Sequence, residues 1–146
     1  MYSTHVGEVR KLVRKYMKTF NEKNGLDIRI DEEKLREGYQ MEADAPTKTV
    51  VFDPHEITKS FNNQLFAAQA GVSTIENLIK ILIAHEVGHI LDYEKNSFYF
   101  HNDGYAEVME KNAWKIGSSY IEGGLISEYD SFKEFSMDSY RRGNKF

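Results

Sequence analysis

The stretch His85-Glu86-Val87-Gly88-His89-Ile90-Leu91-Asp92-Tyr93-Glu94-Lys95, HEVGHILDYEK in one-letter code, sets two histidines four positions apart with a glutamate directly after the first. On an α-helix that spacing brings side chains to one face, so the imidazoles of His85 and His89 can reach a single ion. Glu86 stands roughly 100° further round, too far to ligate with ease but well placed to meet a water in an open coordination position. The pattern is HExxH, in which the histidines hold zinc and the glutamate is the general base.

The pattern is short, so its surroundings decide its meaning. Ile75, Leu78, Ile79, Leu82, Ile83, Ile90 and Leu91 recur at helical spacing and form a broad apolar face. Ser73 with Glu76 three positions on reads as a capping box, which starts the helix near Thr74 and lets it run to about Glu94. Gly88 lies in its interior, where glycine costs about 1 kcal/mol relative to alanine, and that cost argues for a packing role.

Two imidazoles make an incomplete site, because a catalytic zinc takes three protein ligands and leaves a fourth place to water. The chain has no cysteine, so the third ligand must be His, Asp or Glu. A metzincin would carry it as a histidine six positions after His89, where this chain has Lys95. The next helix, expected over about Tyr105 to Ile121, offers Glu107 and Glu110, one turn apart on one face and both able to point at the ion.

With these segments in hand, AHEVGHILD followed by EKNAW, the second half of the chain resembles zincin metallopeptidases of the gluzincin type. It is similar in particular to the ImmA/IrrE-like proteins of bacteria, phages and mobile elements. The resemblance implies a helical glutamate with a small residue three positions later as third ligand, which selects Glu110 with Ala113 and leaves Glu107 beside the site. It implies a Zn2+ cofactor on His85, His89 and Glu110, with Glu86 activating the zinc-bound water against a peptide bond of a protein substrate. It implies a zincin-like minimal metalloprotease fold, in which an edge strand borders the cleft and pairs with an extended peptide; KTVVF, residues 48–52, is assigned that edge. After Ala113 the chain departs from the family pattern, continuing WKIGSSYIEGG with no proline beyond Pro54.

The first half supplies the rest of an α+β domain. Val6, Val9, Leu12, Val13, Tyr16, Met17 and Phe20 mark an amphipathic helix stopped at Gly25. LDIRI, EGYQMEA and KTVVF alternate like strands, the last two separated by the turn DAPT, and predict a small antiparallel sheet of about three strands. Helical spacing returns from Ile57 to Ala70, KNSFYFHNDG reads as a loop, and a last helix starts at Ser127 or Asp130. At 146 residues, 40% apolar and 29% charged, residues 1–146 are expected to form one folded domain.

A net charge of −4 gives no electrostatic reason to bind nucleic acid or an anionic membrane. The most apolar run, LIKILIA, is far shorter than the roughly 20 residues of a membrane span, and the N-terminus lacks a signal-peptide core. A cytoplasmic monomer is expected. Asp92 shares the histidine face and is a candidate to orient an imidazole. His55, His101, Tyr99 and Tyr105 are candidate hydrogen-bond donors to an oxyanion, each more ordinary as a surface or packing residue. His5 reads as a plain helix-end residue, and Phe98 to Phe100 as a pocket wall or a loop anchor. The competing expectation is a non-catalytic, metal-stabilised regulatory or binding module of a phage or mobile element. A fourth protein ligand would mark that module, and an open cleft beside Glu86 would mark the enzyme.

Overall fold

A computed structural model describes residues 5–142, without the side chain of Asp103. Helix α1 (Val6–Asn24) buries Val9, Val13 and Met17, spaced one turn apart, and ends at Gly25 in the left-handed conformation, φ 64°. The glycine stop read from NEKNG is therefore present, because this backbone region carries no penalty without a Cβ.

Three short strands follow: β1 (Arg29–Glu32), β2 (Met41–Asp44) and β3 (Thr49–Phe52). Their spatial order is β1-β3-β2, with β1 parallel and β2 antiparallel to β3. Two expectations are corrected here. The sheet is mixed rather than antiparallel, and KTVVF is the central strand rather than the edge. The physical reason lies in the residues: Thr49, Val50 and Phe52 are buried, so this strand needs neighbours on both sides. Met41–Asp44 becomes more exposed along its length and forms the free edge. The DAPT turn, a single 3-10 turn at Ala45–Thr47 closed by Lys48 at φ 52°, folds β2 back along β3 and makes that pair antiparallel.

The helix expected over Ile57–Ala70 is two helices, α2 (Pro54–Asn62) and α3 (Gln64–Ala70). Asn63 between them is extended, and its side chain accepts from the N–H groups of Leu65 and Phe66, ending one helix by capping the next. α2 begins before Ile57 because Asp53 caps it, accepting from the N–H groups of His55 and Glu56, with Pro54 in the first position.

Helix α4 (Ile75–Phe100) runs through the core. Leu78, Ile79, Ile81, Ile83, Ala84, Val87 and Ile90 are all at or below 1% exposure, so the helix is buried nearly all round. It starts where expected but with a different cap: Thr74 accepts from the N–H of Asn77, while the N–H and hydroxyl of Ser73 both go to Glu128. No capping box forms between Ser73 and Glu76. Nor does α4 end near Glu94; the segment expected as a loop continues it to Phe100 through a kink at Asn96. Asn96 donates to Asp92 at 2.9 Å, and Phe100 packs edge-on against Tyr93, which holds the extension down.

A 3-10 turn leads into α5 (Ala106–Ser118), and α6 (Ile126–Arg141) closes the described chain. Backbone contact between α4 and α5 is close at two points. A Cβ on Gly88 would collide with the Ala113 carbonyl of α5, and one on Gly117 would collide with the Ala84 carbonyl of α4. The packing role argued for Gly88 is thus present, and Gly117 reciprocates it. No single described helix is long and apolar enough to cross a membrane. The bent pair α3 and α4 meets that composition only together, across a 59° bend, and the apolar residues of α4 lie inside the core.

Candidate metal centre

α4 carries His85 and His89 on successive turns, and their rings meet edge to face with centroids 4.7 Å apart. The glycine contacts draw α5 close enough for Glu110 to reach both: its Oε1 lies 3.3 Å from His85 Nε2, and its Oε2 lies 2.8 Å from His89 Nε2. One donor atom from each of the three residues fits within 4.8 Å of the others. Glu107, equally placed by spacing, points elsewhere and pairs with Lys111 at 3.1 Å and Arg141 at 4.0 Å.

The electrostatics of the cluster follow from burial and mutual contact. Burial lowers the His85 pKa, and the bond to Glu110 only partly opposes it. Burial acts the same way on His89, but the hydrogen bond and charge of Glu110 outweigh it and leave this imidazole more basic than usual. Burial would raise Glu110, yet the two imidazoles hold its carboxyl well below the ordinary carboxylate range. Among the described residues no lysine or arginine lines the surrounding cleft, so the basic groups that face this carboxylate there are histidines.

Glu86 is 7% exposed and stands beside the cluster in the same cleft, a space of about 310 Å³. Burial pushes its pKa up to about 8; His89 opposes the rise, Glu110 and Glu42 add to it, and the Ala43 backbone opposes it. The facing wall is the edge strand β2, through Met41, Glu42 and Ala43. Two nitrogens and a carboxylate oxygen converging in an open-sided cleft match the ligand preferences of Zn2+.

Of the other sequence candidates, all but Phe100 lie outside this cleft. Asp92 is fully buried and accepts from Asn96 and Asn112, so it ties α4 to α5; it reaches the site through its charge, which helps to raise His89. His55 opens α2 on another face beside Glu32 and Asp53. His101 is the C-terminal cap of α4, and His5 is the exposed residue preceding α1. Tyr99 and Tyr105 meet one another tilted, with ring centroids 4.8 Å apart, and each meets Phe98 edge-on. Of the Phe98–Phe100 cluster only Phe100 lines the cleft, while Phe98 is 60% exposed.

Sequence reasoning missed Tyr39 and Tyr140, which line the cleft from the loop before β2 and from α6. Neither carries a motif that could have announced it. Trp114, stacked on His85, was missed although its position one turn after Glu110 was a usable signal. Comparison of the chain with family models, curated proteins and solved structures returns no match.

Proposed function

We propose that the protein is a zinc-dependent metallopeptidase of zincin type, with His85, His89 and Glu110 holding Zn2+ and Glu86 acting as general base on the water that attacks a peptide carbonyl. The observation that carries this reading is the convergence of three donors from two helices in one open cleft, with a buried carboxyl beside them. Zn2+ held there supplies a Lewis acid and brings the acidity of water toward neutrality.

What the chain itself contributes can be followed residue by residue. The Gly88–Ala113 contact sets the distance at which Glu110 meets the histidines. In the metal-free protein burial holds the Glu86 carboxyl well above the ordinary carboxylate range, which sets it apart as a proton-exchanging group. Strand β2 pairs with β3 on one side only and borders the cleft, so its free edge is where an extended peptide would add as a further strand. That role passes from KTVVF, which is central, to Met41–Asp44.

Three cluster members among the described residues, with a cleft beside them, favour hydrolysis over a metal-stabilised binding module, which would close the fourth position with a protein ligand. The test is hydrolysis of a quenched-fluorescence peptide library by the Zn2+-loaded chain and by Glu86→Gln. Cleavage by the wild type and a loss of roughly 100-fold or more in the variant are expected. Equal activity in the two would remove Glu86 from the chemistry.

A further inference from the structure

A metal-ligating histidine ordinarily donates its second ring N–H to a carboxylate, a carbonyl or water, and that bond fixes the plane of the ring. His85 is held differently. With Nε2 turned toward Glu110, its Nδ1 is buried and meets no hydrogen-bond partner among the described residues. A flat neighbour covers the ring instead: Trp114, the only tryptophan of the chain, stacks on the imidazole with centroids 4.0 Å apart and planes 24° from parallel.

The indole is itself immobilised. Trp114 is 1% exposed, and its ring meets those of Tyr129 at 5.2 Å and Phe132 at 5.8 Å. Its carbonyl accepts the Tyr129 hydroxyl at 2.6 Å, tying this turn of α5 to α6. Trp114 follows Glu110 by one helical turn, so one face of α5 supplies both the carboxylate at the Nε2 edge of His85 and the plane against its ring. Ala113 between them is the residue pressed on Gly88, which sets the separation of the helices at this point.

We propose that Trp114 is the positioning residue of His85, fixing by stacking the ring orientation that a hydrogen bond to Nδ1 fixes elsewhere. The assignment rests on reading the cluster as a Zn2+ site. It requires a flat aromatic side chain at position 114 rather than bulk alone, so phenylalanine serves and leucine does not.

The test is Zn2+ affinity, measured by competition with a chromophoric chelator, for the wild type, Trp114→Phe and Trp114→Leu, with circular dichroism of each metal-free protein. The Phe variant is expected within about threefold of the wild type and the Leu variant at least about tenfold weaker, both with the wild-type helical spectrum. Equal affinities for the Phe and Leu variants overturn the positioning role and leave the zinc site standing. A wild type that binds no Zn2+ overturns the zinc site, and the positioning role falls with it. If the Leu variant does not fold, the unmutated chain decides by NMR: the upfield ring-current shift of the His85 ring protons persists at one equivalent of Zn2+, and its loss on binding overturns the proposal.

Discussion

Glu86→Gln keeps the size of the side chain but removes its proton exchange, and the proposed role of that proton has a counterpart in stability. In the metal-free protein the folded Glu86 carboxyl titrates at about 8 against a usual value of 4.5. Between those values the unfolded chain has lost the proton that the folded chain still holds, so stability falls as pH rises through this window. Melting of the metal-free wild type is therefore expected to drop more between pH 5 and pH 8 than that of Glu86→Gln, whereas parallel curves would show that the carboxyl is not buried as described. His89 gives a second pH dependence. Glu110 raises its basicity, so the folded chain holds a proton that a metal must displace. Zn2+ affinity should climb by about tenfold per pH unit up to the raised His89 value and then level off, which chelator competition across a pH series would measure. Much of this site was legible as residues: periodicity alone put His85, Glu86 and His89 on one helix. The choice between Glu107 and Glu110 was not legible from spacing. It depends on Lys111 and Arg141, which engage Glu107, and the position of Arg141 is a tertiary fact.

At the scale of elements, the α4–α5 contact carries the site, and its glycines make it testable. Gly88→Ala drives a methyl group into the Ala113 carbonyl, a backbone atom that cannot step aside without moving α5. The expected cost is about 1–3 kcal/mol of stability, with weaker Zn2+ binding as Glu110 withdraws from the histidines. Gly7→Ala is the counterpart, since nothing stands within 4 Å of the added atom and the position is helical. It should stabilise the chain by about 0.5 kcal/mol without touching the metal. Thermal melts of both variants check the contrast, and a neutral Gly88→Ala would mean that the helices are not in backbone contact. The elements legible in the sequence were those with a strong period or an unambiguous stop, such as α1 with Gly25. Those misread turned on a single polar side chain: Asn63 splitting α2 from α3, Glu128 drawing Ser73 away from the cap of α4, and Asn96 bending that helix instead of ending it. Strand order was out of reach of local pattern, because KTVVF alternates no differently as a centre than as an edge.

Across the whole molecule, α4 is the axis on which α1, the sheet, α5 and α6 are packed, and the proposed metal joins that axis to α5. A ligand that binds only the folded state stabilises all of it, by about 2.7 kcal/mol at a free concentration 100 times the dissociation constant. Adding Zn2+ should therefore raise the midpoint of global unfolding, and a chelator should reverse the rise. The mixture of helices with a small sheet was readable from the change of hydrophobic period along the chain, whereas the cleft was not. Its walls come from β2, α4, α5 and α6, segments brought together only by the fold. The central claim, that His85, His89 and Glu110 form a metal site, is tested most directly by elemental analysis of the protein after Zn2+ loading and gel filtration. The account predicts close to one zinc per chain in the wild type and in Glu86→Gln, and little in His89→Ala or Glu110→Ala; zinc retained equally by all four, or by none, would contradict it.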